Sequence, residues 1–223
     1  MNEVSISSTF KCIKAAGDVL NFVATSYNNR QTRRVKKFFE CIDMRYESAK
    51  PEEIEWIQQY IESEEGQDVL ASFADSITQT SCDRVHMALA MLLCKDLDHP
   101  MSQSEQYTFV SAVVGMTNDL LDFFLEIAKL DREKGNFPYP RSSLSNNDCK
   151  AFKDKGWDDE AIFVYVNDLI RLRLILPDPS TAYTVPGNSN GWTLWFGITD
   201  RTIKMAGLIN KASEYLKISL KNQ

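Results

Sequence analysis

The sequence predicts a mainly α protein, in which an all-helical N-terminal body precedes a small α+β C-terminal module. The first 134 of its 223 residues place apolar side chains at the i, i+3, i+4 spacing of amphipathic helices and contain no convincing strand. A stretch rich in Gly, Pro, Ser and Asn comes next, and two strand-like segments lie beyond it. We therefore predict an all-α domain over residues 1–134, a linker or long loop over residues 135–146, and the α+β module over residues 147–223.

About seven helices are predicted in the N-terminal body, separated by residues that begin or end helices. Pro51 suits the first turn of a helix, Thr117 is a candidate N-cap, and Thr80 or Ser81 is another. The predicted helices cover residues 9–26, 35–46, 51–61, 69–80, 84–97, 102–114 and 117–130.

The C-terminal module combines helices with a hairpin. Its predicted elements are helices over residues 147–155 and 158–174, strands over residues 182–185 and 192–198, and a final helix. Thr199 or Asp200 is expected to cap that final helix. Helix, helix, β-hairpin, helix is the order expected of a winged-helix-like module.

Two segments of this module resemble winged-helix sequence patterns. Residues 166–175, Val-Asn-Asp-Leu-Ile-Arg-Leu-Arg-Leu-Ile, resemble the L-x-x-L-x-R-L-G-L-I end of a second or third helix. Residues 198–202, Ile-Thr-Asp-Arg-Thr, resemble the L-T-x-x-G that starts the closing helix. Arg173 and Thr202 stand where these patterns have Gly, so a left-handed turn at either position would carry a conformational cost.

The chain as a whole resembles bacterial helical proteins of the Abi-alpha kind, which are linked to abortive phage infection. In those proteins a similar ending follows an all-helical body. That body often carries a basic-aromatic helix like residues 33–39 and an apolar helix similar to residues 88–93. The resemblance implies a bacterial or phage protein in a phage-defence setting, without specifying a mechanism.

Composition excludes several classes of protein. With 43% hydrophobic residues and a net charge of −6, the chain is neither collagen-like nor wholly disordered. A sequence pI near 5.1 argues against a protein that coats nucleic acid.

Residues 43–68 hold nine carboxylates against Arg45 and Lys50. This acidic segment predicts a solvated helix surface or a docking surface for a basic partner.

The cysteine count and the hydropathy pattern predict a cytoplasmic protein. The five cysteines are an odd number without regular spacing, which disfavours a disulfide framework. Glu3 comes early and no basic region precedes an apolar stretch, so no signal peptide is expected. No window approaches the roughly 20 apolar residues that span a bilayer, so no membrane partner is expected.

Catalytic and metal-binding signatures are missing from the sequence. Cys82 and His86 share a helix face, but Cys94 is rotated away and no second Cys/His pair completes a tetrahedral site. His86 and His99 are the two imidazoles available as bases. No nucleophile elbow, zinc-binding helix or phosphate-cradling glycine loop is present. We therefore predict no catalytic, cofactor or metal site, and we keep an enzyme with an unrecognised site as an alternative.

Two groups of side chains are candidate binding surfaces. The first is a basic stripe at i, i+3, i+4, i+7 spacing that consists of Arg30, Arg33, Arg34 and Lys37. Its alternative interpretations are a solvated face, phosphate contact, and docking against the acidic segment of another copy. The second is an aromatic cluster, interpreted as an inter-domain cleft, a small core or a domain interface, that consists of Phe137, Tyr139, Trp192, Trp195 and Phe196.

The start of the longer C-terminal helix argues against DNA reading. It begins Trp157-Asp158-Asp159-Glu160, and recognition helices present their N-terminal residues to the groove. The hairpin also lacks Lys or Arg for a minor-groove wing. We therefore predict a non-enzymatic interaction or regulatory protein with a protein partner or self-association. The alternative is a DNA-associated regulator that uses the basic stripe, with the C-terminal module serving dimerisation.

Overall fold

The structure, a computed structural model, describes residues 29–47, 55, 59–60, 62–94, 100–179 and 191–221. Within these residues the chain is mainly helical and carries one small three-stranded antiparallel sheet, as the predicted fold class requires. No helix in this part of the chain is both long and apolar enough to cross a membrane. Three predicted elements lie wholly or mostly outside the described residues: the helices over residues 9–26 and 51–61 and the strand over residues 182–185.

The described elements are eight helices and three strands. The helices are α1 (Asn29–Glu47), α2 (Glu64–Gln79), α3 (Asp83–Leu93), α4 (Gln103–Ala112), α5 (Asn118–Ile127), α6 (Lys150–Lys153), α7 (Asp159–Arg171) and α8 (Asp200–Lys221). The strands are β1 (Arg141–Ser145), β2 (Leu176–Pro177) and β3 (Thr193–Gly197).

Capping side chains set several helix starts. The predicted N-cap Thr117 is confirmed, because its hydroxyl accepts a hydrogen bond from the Leu120 backbone N–H at 3.2 Å. The predicted N-cap of α3, Thr80 or Ser81, is wrong, since Cys82 holds the N-cap position and makes no side-chain cap. Thr80 instead accepts a hydrogen bond from the Cys82 N–H at 3.3 Å, so its hydroxyl is used before the helix begins.

The chain divides into two compact units. The first comprises residues 1–100, 113–115 and 211–223, and the second comprises residues 101–112 and 116–210. In the first unit α1, α2 and α3 pack against one another. Every residue of α3 after Arg84 is buried, including its histidine. A helix that is apolar on all sides forms the centre of such a core.

The second unit is built around the antiparallel sheet, whose strand order is β1-β3-β2. Its core includes Leu144 from β1, Phe196 from β3 and Leu169 from α7, each fully buried. Helix α4 is tied to α8 by an ion pair between Glu105 and Lys204, with 3.2 Å between nitrogen and oxygen. The sheet and the flanking helices thus bury one shared apolar interior.

The structure differs from the predicted domain organisation at residues 135–146. This segment, predicted as a linker or long loop, contains β1, which pairs with β3 in the register Leu144 opposite Leu194. Its Ser-rich sequence is poor in strand-favouring residues, which is why composition indicated a loop. Burial of Leu144 and pairing with β3 outweigh that local preference.

The end of α7 forms a left-handed turn at residue 173, where the winged-helix pattern has Gly. Arg173 has φ +61°, the Arg173 N–H donates to the Ile170 carbonyl, and the Leu174 N–H donates to the Leu169 carbonyl. This is a Schellman motif with arginine at the position usually held by glycine, at a cost of about 1–2 kcal/mol. Thr202 does not share this conformation, because it lies within α8 and its hydroxyl donates to the Leu174 carbonyl at 2.9 Å.

Candidate functional site

The side chains of the basic stripe differ in their surroundings: one makes a hydrogen bond within the fold and another is exposed to solvent. Arg34 donates from Nη1 to the Thr78 carbonyl at 2.6 Å, within the last turn of α2. A cation at a helix C-terminus satisfies an orphan carbonyl and complements the helix dipole. Arg33 is exposed to solvent. Arg30 lies in the first turn of α1, and its side chain is outside the described part of the structure.

Lys37 also faces neighbouring groups of the first unit. Its ammonium lies 3.5 Å from the Glu40 carboxylate and 3.8 Å from the Asp83 carboxylate in the first turn of α3. These contacts join α1 to α3 at the surface of the unit. Of the three stripe side chains that the structure describes, Arg33 is therefore the one that projects freely enough to contact phosphate.

His86 is a second side chain that donates a hydrogen bond to a backbone carbonyl near the C-terminal end of α2. Its Nε2 lies 3.2 Å from the Ile77 carbonyl, and its buried Nδ1 has no hydrogen-bond partner. Burial lowers the pKa of His86 below its usual value of about 6.5. The neutral ring with a proton on Nε2 is therefore the form that this site holds.

We expect acid to destabilise the first unit through His86. The pKa is lowered in the folded state, so the unfolded state binds the proton more readily, and stability is lost as the pH falls below about 6.5. Urea unfolding at pH values from 8 to 5.5 measures this loss. The matched His86→Gln variant keeps an amide donor without a titrating ring, and its stability is expected to be flatter over this range. Parallel profiles for the two proteins would contradict the assignment.

The buried cysteines and the histidine do not assemble a reactive or metal-binding centre. Burial raises the pKa of Cys41 to about 12, which suppresses the nucleophilic thiolate. In the described ranges, no group of three or more His, Cys, Asp or Glu side chains is placed to hold a metal ion. Cys41, Cys82 and Cys94 are buried in the first unit as free thiols and act there as small apolar residues.

The five predicted aromatic residues all belong to the second unit, where they serve four separate contacts. Phe137 and Trp195 both contact the Arg141 guanidinium, each ring centroid 4.1 Å from its central carbon. Such cation–π contacts stabilise a charge that is partly removed from water. The structure thus places an arginine of the chain itself between two of the predicted cleft residues.

The remaining three aromatic residues have structural partners. Phe196 is fully buried in the core, and Trp192 packs against Phe163 of α7 with 5.2 Å between ring centroids. Tyr139 donates its hydroxyl to the Pro177 carbonyl at 2.9 Å. Its ring lies so close to Gly197 that a Cβ at that position would overlap it. Close packing of this kind fixes β2 and β3 against the preceding loop.

An aromatic cluster holds α7 against α5. Phe123 of α5 makes edge-to-face contacts with Phe152, Trp157 and Tyr165, with ring centroids 5.1–5.2 Å apart. The Asp119 carboxylate accepts hydrogen bonds from the Trp157 indole at 3.2 Å and from the Tyr165 hydroxyl at 2.5 Å. The bond to Asp119 raises the pKa of Tyr165 to about 12. Helix α7 is therefore rigidly positioned in the second unit.

The first turn of α7 is acidic and exposed, as the sequence predicts. Asp158 caps the helix by accepting from the Ala161 N–H at 2.8 Å. Asp159 lies 2.7 Å from the Lys153 ammonium, and this contact lowers the pKa of Asp159. Glu160 is exposed on the next position. The carboxylates offset the positive end of the helix dipole, so they stabilise α7 whatever else they contact.

The outer face of α7 is apolar at its centre. Val164 is 50% exposed and is one of the large hydrophobic side chains that the described chain leaves in solvent. Asn167 and Arg171 follow it on the same face at i+3 and i+7 and are also exposed. The face therefore runs from carboxylates through an apolar centre to a single cation near the C-terminal end.

A cleft that sequence analysis missed lies between α4 and the C-terminal end of α7. Its lining combines hydroxyl groups with two arginines and consists of Gln103, Ser104, Tyr107, Thr108, Ser111, Ala112, Arg171, Leu172 and Arg173. The signal available in the sequence was the i, i+4, i+7 spacing of Ser104, Thr108 and Ser111 on α4. No family model, curated protein or solved structure matches this chain.

Proposed function

We propose that this chain is a non-enzymatic interaction protein that binds another protein through the exposed face of α7. The observation that carries the proposal is the composition of that face, which offers exposed carboxylates at its start and Val164 at its centre. Protein partners with a basic, partly apolar surface complement it. The rigid attachment of α7 through Phe123 favours binding, because a preorganised face loses little entropy on association.

We further propose that the second unit contains a winged-helix-like module. The order α5, β1, α6, α7, β2, β3 supports it, as does the sheet order β1-β3-β2. In such a module two helices joined by a short turn precede the hairpin, and the second of them is the recognition helix. In the proposed module α7 is the second of these helices, so its exposed face is the one that we expect to meet a partner.

The same face disfavours duplex DNA as the partner. Binding to DNA depends on cations that replace counterions at the phosphates, and α7 begins with Asp158, Asp159 and Glu160 instead. A carboxylate brought near a phosphate raises the free energy of the complex by like-charge repulsion. Arg171, at the far end of the helix, is the single cation on its outer face.

The proposed setting is phage defence in a bacterial cytoplasm. This part of the proposal is supported by the resemblance of residues 33–39, 88–93 and 166–175 to Abi-alpha-type proteins. A defence protein that acts by contact with a host or phage protein needs a recognition surface and no catalytic centre. The face of α7 meets that requirement.

Site-specific photocrosslinking in bacterial cells, with and without phage infection, tests the proposed function. A photoreactive residue at position 164 is expected to capture a discrete protein, whereas the same group at exposed Ala151 of α6 is not. Introducing Glu160→Lys into the position-164 protein is expected to abolish capture by reversing a charge beside the crosslinker. Capture of nucleic acid at position 164, or equal capture at position 151, would overturn the proposal.

We expect the chain to show no salt-dependent affinity for duplex DNA, and we expect Arg33→Glu to change nothing in that assay. Fluorescence anisotropy with a labelled duplex between 50 and 200 mM salt measures it. Arg33 is the suitable position because it is exposed, whereas Arg34 supports α2. Affinity that falls steeply with salt and disappears in the Arg33→Glu variant would replace the protein-binding proposal with the DNA-associated regulator.

A further inference from the structure

The cleft between α4 and the end of α7 has the size of a small-molecule site. Its volume is about 520 Å³, and sites for small ligands in proteins generally measure 300–1,000 Å³. All of its lining residues belong to the second unit. Neither the acidic first turn of α7 nor Val164 lines the cleft, and the cleft shares Arg171, at the C-terminal end of α7, with the face proposed to bind protein.

The cleft is positively charged and rich in hydroxyl groups. Two of its lining residues are arginines, and none carries a carboxylate. Ser104, Thr108 and Ser111 recur at i, i+4, i+7, which places their hydroxyls along one face of α4. Arg171 also contacts Asp168 at 3.1 Å, but this ion pair is largely exposed and therefore weak. Such a lining complements an anion with several oxygen atoms.

Arg173 supplies the second, independent observation. It occupies the left-handed position of the Schellman motif with φ +61°, although the motif is closed entirely by backbone hydrogen bonds. Glycine would satisfy the same backbone with less strain. Residues held in strained conformations concentrate at binding sites, where the side chain has a use that offsets the strain. Here the strained residue is one of the two cations of the cleft.

We propose that this cleft binds a nucleotide through its phosphate. The Arg171 and Arg173 guanidiniums together carry two positive charges, which match a phosphate monoester of charge about −1.5 to −2 near pH 7. Guanidinium groups bind phosphate in a planar, bidentate geometry that an ammonium does not offer. The hydroxyls of Ser104 and Ser111 donate to the remaining phosphate oxygens, whereas the Thr108 hydroxyl already donates to the Ser104 carbonyl at 2.8 Å.

The Tyr107 ring favours a nucleotide over free phosphate as the ligand. Its ring lines the cleft and is 46% exposed, which leaves an aromatic surface without full cover. A heterocyclic base stacks on such a ring, whereas inorganic phosphate gains nothing from it. The base would thus lie over α4 while the phosphate lies toward the end of α7.

Isothermal titration of the full chain with adenosine 5′-monophosphate, adenosine and inorganic phosphate tests this site. The monophosphate is expected to bind at least tenfold more tightly than either fragment. A 5′-phosphorylated single-stranded oligonucleotide, compared with its 5′-hydroxyl form, distinguishes a free nucleotide from a nucleic-acid end carrying the same group. Absence of binding by every phosphorylated probe would overturn the proposal.

The Arg173→Gly variant separates binding from folding. It is expected to raise the Tm by a few degrees because the left-handed strain is removed, and to weaken monophosphate binding at least tenfold. Arg171→Gln is expected to weaken binding similarly, and Tyr107→Leu to reduce the preference for the monophosphate over inorganic phosphate. Exposed Arg33→Gln in the first unit serves as the matched control. Unchanged affinity in Arg173→Gly would overturn the assignment of the cleft.

Discussion

The Phe123→Ala variant is expected to lose about 3–5 kcal/mol of unfolding free energy, the usual cost of truncating a fully buried phenylalanine. Phe123 is 0% exposed and contacts three aromatic rings that come from α6, α7 and the turn between them. Its removal leaves a cavity that these rigid rings cannot fill. Urea unfolding followed by the fluorescence of Trp157 and the other tryptophans measures the loss.

Two controls accompany this variant. Tyr107→Ala truncates a half-exposed aromatic residue of the same unit and is expected to change stability by less than about 0.5 kcal/mol. Tyr165→Phe removes the hydrogen bond to Asp119 and keeps the ring, so we expect a loss of about 0.5–1.5 kcal/mol. If Phe123→Ala costs no more than Tyr165→Phe, the aromatic cluster is not what holds α7 in place.

The second large effect on stability is expected at one of two adjacent arginines of α1. Arg34→Met is expected to destabilise the first unit by about 1–3 kcal/mol, because it leaves the Thr78 carbonyl at the end of α2 without its charged donor. Arg33→Met, one position away and exposed, is expected to change stability by less than about 0.5 kcal/mol. Methionine is close in length to the aliphatic stem of arginine and removes the charged donor at both positions, so the difference between the two variants reports the hydrogen bond of Arg34.

The measurement is thermal and urea unfolding of both variants at neutral pH. Equal effects at the two positions would contradict the capping role of Arg34 and would favour the interpretation of the stripe as one continuous surface. Low salt and high salt should give the same ranking, because the Arg34 contact is partly buried and less screened than a surface charge.

Helix positions were predictable from the sequence because periodicity and caps are local signals. The Thr117 cap and the acidic start of α7 were both read from neighbouring residues, and both are confirmed. In each case the deciding interaction lies within one helical turn of the residue itself.

What the sequence could not predict depends on residues far apart in the chain. Strand β1 forms because β3, about fifty residues later, supplies its hydrogen bonds, and no local feature of Arg141–Ser145 indicates that pairing. The spacing of the basic stripe places its four side chains on one helix face, but it does not show which of them are exposed. Arg34 donates a hydrogen bond to a carbonyl of α2 that lies 44 positions away in the sequence. The candidate nucleotide cleft likewise needs α4 and the end of α7 together.

The first unit is built from segments that lie far apart in the sequence, and this limits the order in which the unit can fold during synthesis. This unit includes residues 211–223 as well as residues 1–100, and Arg45 of α1 lies 6.0 Å from the ring centroid of Tyr215. During synthesis the ribosome therefore delivers the whole second unit before the last part of the first one exists. A contact that joins residues so distant in sequence raises the contact order and slows folding. Until residues 211–223 are made, the early helices lack part of their packing, so their apolar surface stays exposed longer during synthesis.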